Sequence, residues 1–219
     1  MIRLAFPLLN LTFYSHTMDA SQKHVYTHFK GDSVTRTELV ERKVVGIIID
    51  SPIPDEKRSW SKTFELKHSS SVTQIGRILA QKRGLNQDLA AIICCMHDIS
   101  VFVSGNPENH AHKGGEIAKK ILEETGKFSE EEMKIICDAI SNHSDKHVNS
   151  QDPYAELVKD ADAFDCSLYD QVHDAYVYEK GPEKCKTYFA RIKNVRKELG
   201  LPEDARWDSF EYIEQGRSL

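Results

Sequence analysis

The segment IICCMHDIS, residues 92–100, ends an apolar run with an imidazole and a carboxylate side by side. The run extends a stripe that starts at Leu89 and repeats at the spacing of an α-helix. His97 follows Ile93 by four residues, so a helix would carry both side chains on one face. We therefore predict a buried helix whose last turn directs His97 and Asp98 into the protein.

Apolar residues at helical spacing continue on both sides of this segment. Val72, Ile75 and Leu79 predict a preceding helix that ends at Gly84. Four later helices are predicted over residues 110–122, from a capping box that starts at Ser129, from Pro153 through Val172, and after Gly181-Pro182. The β-branched segment 38–50 is compatible with either a helix or a strand. These patterns predict an all-α fold, a helical bundle of six or more helices.

The length of 219 residues suits one globular domain. We assign residues 56–219 to a helical core with C-terminal helices, and residues 1–55 to an N-terminal extension packed on that core. The apolar start, MIRLAFPLLNLTF, is interpreted as part of a cytoplasmic protein because no small-x-small cleavage site follows it. A chain that naturally starts at Met18 is the other option. The five cysteines are odd in number and are interpreted as reduced core thiols.

The charge balance limits the kinds of partner that the protein could bind. The net charge is -5, whereas broad nucleic-acid surfaces need clustered lysine and arginine. We expect a small molecule as the partner, and neither a nucleic-acid polymer nor a membrane. A homodimer is left open by the sequence.

Polar residues occur on the apolar faces of several predicted helices. Five helices would each direct a histidine or an aspartate inward near one end. Burying these groups separately is costly, whereas a shared divalent cation binds imidazole nitrogens and carboxylate oxygens together. Iron, manganese, nickel, cobalt and zinc suit such a mixed ligand set. The sequence therefore predicts a metal site formed by His68, His97, His110, His143 and Asp162.

The order of these residues resembles that of the HD-domain superfamily of metal-dependent phosphohydrolases. The resemblance covers roughly residues 60–175 and is carried by the segments KHSSSV (67–72), MHDIS (96–100), HAHKGGEIAKKIL (110–122), AISNH (139–143) and VKDADAFD (158–165). Ser100 stands where the family usually has glycine. The resemblance implies an HD-domain-like fold and a core metal site of His68, His97, Asp98 and Asp162.

The same resemblance leaves the number of metals and the neighbouring residues open. His110 and His143 correspond to the additional ligands of members that hold a second metal, so one or two divalent transition metals are expected. Asp160 is the alternative to Asp162, and Asp165 is interpreted as a residue on the helix surface. The nearby His112 and His147 are interpreted as exposed residues or neighbours of the ligands.

The ligand types predict a hydrolytic reaction on a phosphate ester. A divalent metal lowers the pKa of a bound water and polarises a phosphoryl oxygen. Asp98 is the predicted catalytic residue, as a ligand that also accepts a proton from water. The predicted phosphate-binding residues are Lys113, Lys146 and Lys159, and the substrate is expected to be a nucleotide or another small phosphate ester.

Two other functions agree with the same residues. One is a di-iron oxygenase of the HD-domain type, and the other is a ligand-binding module that holds a metal with weak catalysis. Substrate choice is attributed to the loop around residues 100–109 and to the terminal segments.

Overall fold

The computed structural model describes residues 34–211, which contain α-helices and no β-strand. The helices are α1 (Arg36–Ile49), α2 (Lys62–Arg83), α3 (Gln87–Met96), α4 (Ile99–Ser104), α5 (His110–Thr125), α6 (Glu130–Ser141), α7 (Pro153–Cys166) and α8 (Val172–Glu198). Short 3₁₀ turns lie at Asp55–Lys57 and Ala205–Asp208. The predicted all-α bundle is confirmed.

Local hydrogen bonds explain where several helices begin and end. Ser129 and Glu132 form the predicted capping box of α6. A second capping box, between Thr35 and Glu38, opens α1 and resolves the ambiguous segment 38–50 as a helix. Gly84 ends α2 in the left-handed conformation, with φ of 68°, which glycine adopts without strain.

A continuous hydrophobic core lies between the helices. Helix α1 contributes Val40, Val44 and Ile48 to the core that α2, α3, α5, α6 and α7 share. Helix α2 lies so close to α3 that a β-carbon on Gly76 would overlap the side chain of Cys94. A smaller cluster joins α8 to the turn that contains Trp207. Close packing therefore fixes α2, which carries the predicted ligand His68, against α3, which ends just before the predicted ligand His97.

Two predicted helix limits are wrong. Helix α3 ends at Met96, and Asp98 is the N-cap of α4, so the chain turns at His97-Asp98 and the first half of the predicted loop 100–109 is helical. Helix α7 ends at Cys166 rather than continuing through Val172. The predicted break at Gly181-Pro182 is confirmed, because Gly181 has non-helical angles, φ of 71° and ψ of 165°, and separates the two parts of α8.

The segment Gln87–Ser104 is long and apolar enough to meet the criteria for a membrane-spanning helix, but 78% of it is buried inside the protein. This segment comprises α3, the turn at His97-Asp98 and α4, and its apolar side chains pack in the core of the bundle. The apolar start of the chain, residues 1–13, lies outside the described residues. The predicted domain boundary at residue 55 stays a prediction.

Candidate metal centre

The six predicted metal ligands meet at one end of the bundle. His68 lies in α2, His97 and Asp98 lie at the turn between α3 and α4, and His110 is the first residue of α5. The remaining two, His143 after α6 and Asp162 in α7, complete the group. Five of the six residues are buried, while the side chain of His110 is 21% exposed. Residues separated by 94 positions in the sequence are thus assembled into one centre.

Asp98 lies between two pairs of histidines. Its Oδ2 atom is 3.2 Å from Nε2 of His97 and 3.8 Å from Nε2 of His68. Its Oδ1 atom is 3.3 Å from Nε2 of His110 and 3.4 Å from Nε2 of His143. Each carboxylate oxygen therefore faces a different pair, and Asp98 can serve both halves of the centre.

Hydrogen bonds from the outer ring nitrogens orient all four imidazoles. Three histidines donate Nδ1–H to a backbone carbonyl three residues earlier at 2.7 Å: His97 to Cys94, His110 to Pro107, and His143 to Ile140. His68 donates Nδ1–H to Oδ2 of Asp165 at 2.6 Å. A neutral imidazole with its proton on Nδ1 has its lone pair on Nε2, which here points to the centre.

The inner nitrogens need a positive partner. Nε2 of His68 is 3.2 Å from Nε2 of His97, and the same distance separates Nε2 of His110 and His143. Two lone pairs at this distance repel each other unless a proton or a cation lies between them. Groups of three donors within 4.8 Å include His68-His97-Asp98 and Asp98-His110-His143. Imidazole nitrogens and carboxylate oxygens at such spacing fit a divalent transition metal in each half.

The charge states of the buried groups suit metal binding. Burial would raise the pKa of Asp98, but His97 and His143 hold it well below its usual range. Burial would also raise the pKa of Asp162, and Lys146 outweighs that effect. Burial lowers the pKa of His143 to about 4, so this ligand is neutral at physiological pH. Both carboxylates are thus ionised and at least one histidine is ready to bind.

The three aspartates of α7 have different roles. Oδ1 of Asp162 is 3.4 Å from Nε2 of His68, so Asp162 rather than Asp160 belongs to the centre. Asp160 instead forms ion pairs with Arg83 at 2.9 Å and Arg191 at 2.7 Å. The interpretation of Asp165 as a surface residue is wrong, because it is buried and holds His68.

Only one of the three predicted phosphate-binding lysines lies at the centre. Lys146 is buried, and its ammonium group forms an ion pair with Oδ2 of Asp162. Lys113 is exposed and donates to the carbonyl of Glu108, so its prediction is not supported by its position. The position of Lys159 does not support its prediction either, because its buried ammonium donates to the carbonyl of Val148 and to the carboxylate of Glu156. His112 and His147 are exposed.

A cleft of about 490 Å³ leads to the predicted metal ligands. The sequence reasoning missed its aromatic walls, which are formed by Trp60, Phe64, Tyr176 and Tyr188. The ring of Phe64 stacks on His68 with centroids 5.2 Å apart, and its position four residues before His68 was the available signal. No comparable signal connects the tyrosines of α8 with the centre, since they are far from it in sequence.

Cys166 also lines this cleft, with Sγ 3.5 Å from Oδ1 of Asp162. It is half-buried, whereas the interpretation of all five cysteines as core thiols expects a fully buried residue. That interpretation is wrong for Cys166, because α7 ends here and leaves the thiol facing the cleft, and Cys137 is half-buried as well. All five cysteines are free thiols, as predicted.

Comparison with protein families gives one match, the model described as HD domain, over residues 66–166. The matched range runs from α2 to the end of α7 and contains all six residues of the metal centre. Helices α1 and α8 lie outside it. Neither curated proteins nor solved structures give a match to the chain.

Proposed function

Because residues 66–166 assign this chain to the HD-domain superfamily, we propose that it is a metal-dependent phosphohydrolase acting on a small phosphate ester. The observation that carries the proposal is Asp98, whose two oxygens face two pairs of histidines. The proposed substrate is a nucleotide or another phosphorylated small molecule, and the proposed location is the cytoplasm. Neither a nucleic-acid polymer nor a membrane is proposed as a partner.

The ligand atoms divide into two halves that share Asp98. His68, His97 and Asp162 would hold one metal together with Oδ2 of Asp98. His110 and His143 would hold a second with Oδ1. A bound divalent transition metal supplies Lewis acidity, which lowers the pKa of water and polarises a phosphoryl oxygen.

The protein groups around these ligands orient the reactants. Asp98 stays ionised because its pKa is held well below its usual range, so its oxygens accept hydrogen bonds from the attacking water. The ammonium group of Lys146 stays charged beside Asp162, which raises its pKa against the effect of burial. It would donate a charge-assisted hydrogen bond to a phosphoryl oxygen. Phe64, stacked on His68, covers one face of that ring.

Activity on a panel of nucleotides and sugar phosphates would test the proposal. The full-length protein would be depleted of metal, reloaded with manganese, and assayed for release of phosphate and for phosphodiester cleavage. Asp98→Asn is expected to remove activity because it replaces an ionised ligand. Asp138→Asn is the matched control, since Asp138 is exposed on α6 and pairs with Lys134. A fully loaded wild-type protein that is inactive on the whole panel would contradict the proposal.

A di-iron oxygenase is the second candidate, because His110 and His143 provide a second half-site. It differs from the first candidate in a measurable way. An iron-loaded protein that consumes oxygen only when an organic substrate is added, and that hydrolyses no phosphate ester, would favour the oxygenase.

A further inference from the structure

One cation at the cleft has no role in the proposed chemistry. Lys180 lines the cleft and is half-buried. Its ammonium group lies over two rings, 5.3 Å from the centroid of Tyr176 and 5.0 Å from that of Tyr188. Within residues 34–211, Lys180 forms no ion pair with a carboxylate, and the neighbouring Glu179 is exposed on the cleft wall. Lys180 therefore keeps an unpaired charge beside the substrate path.

The backbone of α8 fixes this position. Gly181, with φ of 71° and ψ of 165°, interrupts the helix directly after Lys180. Tyr176 precedes Lys180 by four residues, so both side chains lie on the same face of the first part of α8. Tyr188 follows the interruption, and its ring meets Tyr176 at 5.1 Å in a T-shaped contact. The two tyrosines form an aromatic base under the ammonium group.

Two lysines lie against the same ring at different depths. The ammonium of Lys146 is 5.7 Å from the centroid of Tyr188, and that of Lys180 is 5.0 Å from it. Lys146 is buried and paired with Asp162, whereas Lys180 is closer to solvent and unpaired within the described part of the chain. Tyr188 thus contacts both a buried cation at the centre and a half-buried cation on the cleft wall.

We infer that Lys180, Tyr176 and Tyr188 form a second anion-binding subsite, so that the substrate carries another anionic group besides the phosphoryl group that reacts. The inference rests on the proposed function and names the substrate class for that site. The outer anion, a phosphate or a carboxylate, receives the charge-assisted hydrogen bond of Lys180. Substrates with one anionic group leave Lys180 unpaired and bind less tightly.

Binding of two phosphonates of equal chain length, which the protein cannot hydrolyse, would distinguish the contribution of the second subsite from that of the metal centre. Calorimetry would measure the binding of 3-phosphonopropanoate and of propylphosphonate to the manganese-loaded full-length protein. The wild type is expected to bind the first about fivefold more tightly, as for a partly exposed charge pair. Lys180→Gln should lose that preference with propylphosphonate binding unchanged. Lys186→Gln, on the same helix but paired with Glu183, is the control that keeps it.

Equal affinity of the wild type for both phosphonates overturns the inference, as does a Lys180→Gln variant that keeps the preference. Hydrolysis assays test the proposed function separately. A loaded protein that hydrolyses no ester but shows the preference that depends on Lys180 contradicts the proposed function and supports the subsite. Hydrolysis without any preference in binding contradicts the subsite alone.

Discussion

One proton on His68 links the metal centre to pH. Burial by itself would lower the pKa of His68, but hydrogen bonds to Asp162 and Asp165 outweigh burial and raise it from 6.5 to about 10. The metal-free protein therefore carries an imidazolium between two carboxylates at neutral pH. Because a metal ligand must be unprotonated, this proton leaves when metal binds.

We expect the metal-free protein to lose stability as the pH rises from 7 to 9. The folded state binds one more proton than the unfolded state between pH 6.5 and about 10, so the stabilisation is complete below 6.5 and disappears near 10. The slope is at most about 1.4 kcal/mol per pH unit. Urea unfolding at several pH values would measure it. Asp165→Asn removes one of the two carboxylates and should flatten the slope; equal slopes would contradict this account.

Lys146 is the lysine whose removal should affect catalysis. Lys146→Gln is expected to lower kcat/KM about 100-fold, as for the loss of one preorganised charged donor. Lys113→Gln should leave it unchanged, because Lys113 is exposed and bonds the carbonyl of Glu108. Steady-state kinetics of both variants, with circular dichroism to confirm folding, would check the difference. If both substitutions change kcat/KM equally, Lys146 does not bind the phosphoryl group of the substrate.

The inward direction of a single residue was predictable where its spacing placed it on the apolar face of a helix. His97 follows Ile93 by four positions, and that spacing alone predicts its inward direction. Asp165 could have been found by the same reasoning, since it follows Asp162 by three positions and shares its face. The environment of Lys159 could not be predicted, because its buried ammonium depends on how the loop before α7 folds back to present the carbonyl of Val148.

Among the structural elements, the turn between α3 and α4 was hidden by its composition. Ile99, Val101 and Phe102 continue the apolar pattern past His97 and Asp98, and all three are buried. One continuous helix and two helices joined by a turn would bury this apolar segment equally well. The periodicity of its apolar residues therefore cannot distinguish the two structures. The end of α7 was hidden for a different reason. The chain turns between α7 and α8, where Gln171 adopts a positive φ of 67°. Glutamine rarely adopts this left-handed conformation, so the sequence contains no signal for the turn.

Alanine is expected to have opposite effects at two helical glycines, because Gly76 lies where α2 and α3 pack closely and Gly46 lies in open space on α1. Gly76→Ala would overlap Cys94 and should destabilise the protein by about 1–3 kcal/mol. Gly46→Ala in α1 meets no atom nearer than 4.0 Å and should stabilise it by about 0.5–1 kcal/mol through helix propensity. Denaturant unfolding of both variants would measure the changes. A neutral Gly76→Ala would mean that α2 and α3 can separate without cost.

For the whole molecule, the metal centre connects the helices of the core. Its ligands come from α2, the α3–α4 turn, α5, the end of α6, and α7, and each carries apolar residues of the same core. The buried pair of Arg58 and Glu65 adds a further link, since Arg58 also donates to the carbonyl of Phe102 in α4. Metal bound at this end would therefore stabilise the bundle as a unit.

Metal loading should raise the melting temperature and reveal the number of metals. A metal at 100 times its dissociation constant stabilises the folded state by about 2.7 kcal/mol, which corresponds to about 5–10 °C for a chain of this size.

We expect two metals per wild-type chain by elemental analysis, since Asp98 faces two pairs of histidines. His110→Ala should bind one metal and show a smaller rise in melting temperature. His112→Ala, two residues along α5 and exposed, should behave as the wild type. If the wild type and His110→Ala both bind a single metal, the centre uses only the half formed by His68, His97 and Asp162, and the four-histidine arrangement around Asp98 then serves to orient that one site.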